Sequence, residues 1–174
     1  MQLCRFLNLC SSVVSHVLTF TSMAGSETTA AAITAILYHL MCTPAAYTTL
    51  TAEIDEAAQA GLLSPVIQYH EAVGLPYLMA CCKEGMRLHP SIGLTLPRHV
   101  PKGGCVIAGK WFPAGTRVGM NAAVVQRNKD VFGEDADEFV PERWLGPDAA
   151  RMDRYMFQVL LPNSPASSKY LHAW

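Results

Sequence analysis

The apolar positions are concentrated near the start of the chain. Residues 6–26 contain no Lys, Arg, Asp or Glu, and a second uncharged run covers residues 28–52. Across residues 13–42 apolar side chains fall nearly all round a helical wheel. That pattern predicts one long helix of the kind found in the middle of a large protein or in a membrane. Residues 1–12 carry no clear pattern and read as a ragged end. Thr43 fits an N-cap and Pro44 a first turn, so a second helix is predicted to run to about Ala60. Its packed face would hold Tyr47, Leu50, Ile54, Ala57 and Ala58, with Glu53, Asp55 and Glu56 turned to water. Gly61 ends it. After a short turn near residues 68–73 comes an apolar run, residues 75–82, with Pro76 at its first turn and Pro90 as its stop. A short helix with almost no wet face is predicted there.

Beyond Pro90, Gly, Pro and β-branched residues dominate. Residues 94–100 read as a strand. Residues 105–108 and 111–112 flank Gly109-Lys110, read as a two-residue hairpin loop. Pro113-Ala114-Gly115 turns the chain into a strand at 116–120. Residues 121–127 fit one or two helical turns, and residues 130–147 an acidic, aromatic-pinned meander. No internal repeat or flexible linker interrupts this order. The predicted class is mainly α with a small β portion.

Composition sharpens the picture. A chain of 174 residues suits one domain, burying roughly 70% of its unfolded surface. Hydrophobic residues make up 51% and charged residues 16%, against a usual charged share of roughly 25%. That deficit implies more buried surface than so short a chain normally owns. The net charge of −1 and the lack of a basic block argue against nucleic-acid binding. Cysteines at 4, 10, 42, 81, 82 and 105 form no Cys-x-x-Cys and no His-paired zinc spacing. Free thiols in a reducing compartment are the expectation, with no metal site. Two membrane readings stay open: a signal peptide through Ser22-Met23-Ala24, and a span over residues 28–52. Asn8, Ser11, Ser12 and His16 count against the first, and His39 and Pro44 against the second.

Two stretches carry candidate chemistry. Lys83-Glu84-Gly85-Met86-Arg87 places Glu84 and Arg87 three apart on one side of the short apolar helix. One reading is an exposed helix pair worth little. The other is a buried pair, which must be paired and hydrogen-bonded. A guanidinium has five donors, so a buried Arg87 needs more partners than one carboxylate. Pro141-Glu142-Arg143-Trp144 offers a second arginine and another acid between aromatics. Ala24-Gly25-Ser26-Glu27-Thr28-Thr29 interrupts the long helix. Gly25 opens the backbone to close approach, and Thr28 can bond back to the Ala24 carbonyl and bend the helix. With Glu27 beside them, these residues suit proton delivery to a small ligand. The alternative is a packing notch between helices.

Three motifs in chain order, Ala-Gly-Ser-Glu-Thr-Thr (24–29), Glu-Gly-Met-Arg (84–87) and Pro-Glu-Arg-Trp (141–144), together closely resemble the heme-thiolate monooxygenases, the cytochromes P-450. Residues 96–101 and 132–139 are similar to the family's filamentous-fungal members, of secondary metabolism and aromatic detoxification. The resemblance covers about residues 13–157 and implies a partial cytochrome P-450 fold: a long central helix, following helices, short hairpins and a meander. It implies heme as cofactor, an NADPH-dependent reductase as partner and a small organic substrate. By the same resemblance Thr28 and Glu27 are the dioxygen-activating and proton-relay positions, and Ala24 and Gly25 line the oxygen groove. Glu84, Arg87 and Arg143 form an internal ion-pair triad, Arg98 binds a heme propionate, and Ile92, Leu94 and Leu96 face substrate.

Two departures temper the resemblance. The chain opens at the family's central helix, so a C-terminal-half fragment without its membrane anchor is expected. The family's heme loop, Phe-x-x-Gly-x-x-x-Cys-x-Gly, should follow Phe157, and the chain instead reads Gln158-Val159-Leu160-Leu161-Pro162-Asn163. No cysteine lies beyond Cys105. Residues 158–174 are thus read as a divergent tail, and the chain alone as catalytically dead. A non-catalytic fragment that binds a partner or an apolar ligand is the competing reading. The family implies the endoplasmic reticulum membrane; this chain by itself is expected to be cytoplasmic or unstable.

Overall fold

The computed structural model describes the backbone of residues 2–95 and 97–157 and the side chains of residues 17–95 and 97–156. The apolar N-terminal region forms one helix, α1 (Gln2–Cys42). It begins at Gln2 rather than residue 13, because no proline or glycine interrupts the first dozen residues. Pro44 then fixes the first turn of α2 (Pro44–Gln59), with Thr43 at the N-cap position but making no side-chain cap bond. Gly61, at φ 70, lets the chain leave that helix in the left-handed region. A one-turn helix, α3 (Tyr69–Val73), is closed by a reciprocal Gln68–Glu71 capping box. It leads into α4 (Pro76–Leu88).

Helix α4 is the shared wall of two apolar clusters. On one side Tyr77, Cys81 and Leu88 pack with Leu40 of α1, Ala46 and Leu50 of α2, and Phe139. On the other, Ala80 joins Val131, Phe132, Ala136, Trp144, Met152 and Met156. Helices α1 and α4 touch at Gly85. A Cβ there would lie 2.5 Å from Ile36 Cγ1 and 3.0 Å from its Cα, so only glycine permits the approach.

The β portion consists of two small antiparallel pairs. Strand β1 (Arg98–His99) pairs with β4 (Arg117–Val118), while β2 (Cys105–Ile107) pairs with β3 (Lys110–Phe112). Two short helices follow, α5 (Ala122–Val125) and α6 (Lys129–Phe132), each N-capped by an asparagine, Asn121 and Asn128. A 3-10 turn, Pro141–Trp144, and helix α7 (Ala149–Phe157) complete the described chain.

Several expectations shift. The strand predicted over residues 94–100 is only Arg98–His99 plus a Thr95–Asn121 bridge, since Pro97 withholds a donor. The hairpin turn is Ala108-Gly109, one residue earlier than predicted, because Ile107 and Lys110 close the ladder. Both turn residues have positive φ, 51 and 73, as a type I′ turn requires. On α2, Tyr47 and Ala58 are exposed and Ala46 is buried instead. Glu53 turns away from water: its carboxylate accepts the amides of Tyr77 (2.8 Å) and Leu78 (2.9 Å) at the start of α4. Among the described residues no single helix is long and apolar enough to cross a membrane; α1 and α2 meet at a bend of 109°.

Candidate functional site

Glu84 and Arg87 lie on the same side of α4 and are both wholly buried, 0% exposed. The helical spacing lines up Nε and Nη2 of Arg87 with the two carboxylate oxygens, at 2.8 and 2.9 Å. Three backbone carbonyls take the rest of the guanidinium. Nη1 donates to Gln126 (2.7 Å) and Ala136 (2.6 Å), and Nη2 donates to Glu138 (3.0 Å). Every donor of Arg87 is therefore spent inside the fold.

The carboxylate is equally occupied. Besides Arg87 it accepts from Nε of Arg143 (2.8 Å), Nε1 of Trp144 (2.8 Å) and the Val140 amide (3.0 Å). Arg143 goes on to the Phe132 carbonyl and to Asp135, whose carboxylate lies 3.1 Å from Nη2. Phe132 also presents its ring to the Arg87 guanidinium, 5.1 Å from the centroid. Burial by itself would raise the Glu84 carboxyl. The Arg87 bond and charge, the Val140 amide and Arg143 outweigh it, and the carboxyl is held below its ordinary range. Of the two readings of the Glu84–Arg87 pair, the buried one is realised.

Trp144, Tyr77 and Glu53 belong to this brace and carry no signal of it in sequence spacing. The Tyr77 hydroxyl donates to Glu142 at 2.7 Å, tying α4 to the 3-10 turn a second time. Lys83 reaches Asp153 of α7 at 2.9 Å and lies 5.4 Å from the Trp144 ring centroid. An acid three residues from a buried arginine is a legible signal. An indole or phenol that finds its acceptor some sixty positions away is not.

The second motif lies on an open stretch of α1. Helix α1 runs through residues 24–29 without a break. The Thr28 hydroxyl donates to the Ala24 carbonyl at 2.9 Å. Ala24, Gly25 and Glu27 are exposed, and nothing among the described residues comes within 4 Å of where a Gly25 Cβ would be. The stretch is therefore not a packing notch within the described chain. Ser91, just after α4, donates its hydroxyl to the Thr28 carbonyl at 2.9 Å, a link the sequence does not announce. Arg98 is exposed on β1 and donates to the Pro97 carbonyl (3.0 Å). Ile92 and Leu94 are exposed on the loop between α4 and β1, and Leu96 lies outside the described residues. The structure thus joins Glu84, Arg87 and Arg143 directly. Thr28 itself is linked to that region by the hydrogen bond from Ser91.

The described cysteines were weighed as ligands. Cys81 is fully buried on α4 and burial pushes its thiol up to about 12. Cys82 beside it is also raised by burial. Burial thus disfavours the thiolate form of both in the unligated chain. Among the described residues no cluster of three His, Cys, Asp or Glu side chains is placed to hold a metal ion.

Comparison with known proteins adds a sequence-wide match. The sequence model of the family described as cytochrome P-450 matches residues 11–158. A cytochrome P-450 monooxygenase, cicH, of Emericella nidulans is 52% identical over 122 residues, covering 70% of this chain and 24% of that protein. A cytochrome P-450 monooxygenase, ACRTS1, of Alternaria alternata is 49% identical over 123 residues, 71% of this chain and 33% of that protein. A pisatin demethylase of Fusarium vanettenii is 47% identical over 122 residues, 70% of this chain and 23% of that protein. The chain thus spans only about a quarter to a third of the length of these relatives.

Proposed function

The chain belongs to the cytochrome P-450 family, and from that we propose that its whole protein is a heme-dependent monooxygenase acting on a small organic molecule. Such a reaction inserts one atom of dioxygen into the substrate, with electrons from an NADPH-dependent reductase. The setting we propose is fungal secondary metabolism or detoxification, with the endoplasmic reticulum membrane as the place. Within that protein, residues 13–157 are a piece of the catalytic domain's C-terminal half. Thr28 and Glu27 handle protons beside the oxygen groove of Ala24 and Gly25. Arg98 would hold a heme propionate, and Ile92, Leu94 and Leu96 would face substrate.

The 174-residue chain by itself supplies the brace and not the chemistry. The observation that carries this reading is the saturated Glu84–Arg87–Arg143 network in a sequence with no cysteine beyond Cys105. Heme in this family is tethered by a thiolate, which pushes electron density onto iron. The described donor set does not fit that group: Cys81 is wholly buried in the α4 packing, burial disfavours the thiolate of Cys81 and Cys82, and no cysteine follows Cys105, so none stands after Phe157 where the family's ligand loop is expected. The chain is therefore non-catalytic in isolation. The test is a difference spectrum. The recombinant chain, incubated with hemin, reduced and exposed to carbon monoxide, should show no thiolate-type Soret band. A normal band overturns the reading.

A second reading, a non-catalytic module that binds a partner or apolar ligand, is favoured by one observation. Val17, Leu18, Phe20 and Met23 stand exposed together on α1. A cooperative melt from a soluble monomer that tightens with an apolar ligand would support it.

A further inference from the structure

We propose that Ser91 is a positioning residue, whose hydroxyl fixes the substrate-facing residues Ile92 and Leu94 relative to Thr28. The proposal rests on the roles given above to those three residues and adds what sets the distance between them. Ser91 follows Pro90, beyond the end of α4. A loop serine commonly bonds to backbone within a few positions of itself. This one donates to the Thr28 carbonyl, 63 positions away, at 2.9 Å. The carbonyl has two lone pairs. The α1 ladder takes one through the Ala32 amide, and Ser91 takes the other. The Thr28 hydroxyl lies apart, on the Ala24 carbonyl. Ser91 therefore fixes where Thr28 sits and leaves its hydroxyl able to change partners.

One hydrogen bond alone is a pivot; a second contact gives it a direction. Helices α1 and α4 already meet where Gly85 packs on Ile36. Thr28 lies on α1 two turns before Ile36, roughly 12 Å along the axis. Two contacts that far apart fix the angle between α1 and the exit of α4 as well as their separation. Helix α4 is itself held by the buried Glu84 network. Residues 92–94 hang from this frame between two pins. At one end Ser91 bonds to α1. At the other Thr95 bridges to Asn121, whose side chain caps α5.

The residues between the pins suit contact with an apolar molecule. Ile92 and Leu94 are 41% and 76% exposed, and nothing among the described residues lies within 4 Å of a Cβ built at Gly93. No Asp, Glu, Lys or Arg stands between Arg87 and Arg98. Ile92 follows Ser91 by one peptide, about 3.8 Å between Cα atoms, so a shift of Ser91 passes directly to Ile92. A misplacement of about 1 Å between a bound molecule and a reacting group can cost about 100-fold in rate. The Ser91 bond thus acts on which part of a small apolar substrate reaches the Thr28 hydroxyl. Being exposed, the same bond adds little to stability; what it contributes is order.

The test uses the 174-residue chain labelled with carbonyl-13C, 15N threonine. Threonine follows threonine only at 28–29 and 48–49, so the Thr28 carbonyl is read through the Thr29 amide, with Thr48 as internal control. Ser91→Ala should move the Thr28 carbonyl resonance upfield and leave Thr48 in place, and Ser91→Thr, which keeps a hydroxyl, should restore it. In a uniformly 15N-labelled chain, Ser91→Ala should lower the amide order parameters of Ile92, Gly93 and Leu94 from about 0.85 to below about 0.6, at an unchanged melting temperature. Thr95 should change least, because its bridge to Asn121 remains. An unmoved Thr28 resonance overturns the proposal. So does a Ser91→Ala variant that melts earlier while residues 92–94 stay rigid, since the bond would then be a stability staple. In the whole protein Ser91→Ala should spread oxidation over more substrate positions and Ser91→Thr should not; an unchanged product ratio in Ser91→Ala overturns the proposal. A whole protein without monooxygenase activity sinks the functional reading instead, while the bond itself is decided in the 174-residue chain.

Discussion

At the scale of single residues, the chain keeps one acid in its dry interior by surrounding it with donors. Five hydrogen bonds reach the Glu84 carboxylate, from Arg87, Arg143, Trp144 and the Val140 amide. Such a cluster is costly to assemble and more costly to break, because removing one member strands the others. Replacing Arg87 by Met should therefore cost roughly 3–5 kcal/mol in urea unfolding. A loss below about 1 kcal/mol would mean that the carboxylate finds water instead. His39 offers a pH handle in the same region. Its ring stacks on Phe139, 5.3 Å between centroids at 6°, and also meets Tyr38 edge-on. Burial, then Arg127, lowers its pKa below 6.5; His89 and Arg87 add to this, and Glu84 opposes it. A lowered pKa means the folded form prefers the neutral ring, so its contribution is complete above pH 6.5 and is lost as pH falls below that value. Glu84, also lowered, acts in the same direction at more acidic pH. Melting temperature should thus decline on acidification from pH 7.5 to 5.5, and His39→Phe, which keeps a ring on Phe139, should flatten that decline. Equal slopes for both proteins would exclude His39 as the titrating group.

At the scale of elements, proline and glycine punctuation is what makes the fold legible. Pro44, Pro76 and Pro90 mark helix limits that agree closely with α2 and α4, because a missing amide is a local constraint with local consequences. The errors arise where a distant partner decides. Glu53 is charged and on a helix, so spacing alone sends it to solvent; two unfilled amides at the start of α4 bring it inward. The hairpin shifts by one residue because a cross-strand register, not turn composition, fixes which two residues take positive φ. Gly85 is the clearest case. Within its motif it reads as a spacer between Glu84 and Arg87, yet it sets how closely α4 can approach Ile36 of α1. Gly85→Ala should destabilise the chain by about 1–3 kcal/mol through overpacking, despite alanine's better helix propensity. A thermal melt that rises instead would show that α1 can move aside.

At the scale of the whole molecule, the two apolar clusters depend on each other through α4 and the meander behind it. Sequence reading locates the acid and the two arginines of this junction because charge in an apolar neighbourhood is conspicuous. It does not locate the carbonyls of Gln126, Ala136 and Glu138, since any residue type can supply a carbonyl. The three-motif order carries the family assignment, and the covering comparison places it on residues 11–158. The spacing of the junction also bears on how the protein is made. Arg143 and Trp144 follow Glu84 by 59 and 60 positions, and a ribosome adds about 5–20 residues per second. Glu84 therefore leaves the ribosome seconds before its last donors exist. Until they are translated, the nascent helix must keep its acid hydrated, and the interior can close only when the meander arrives.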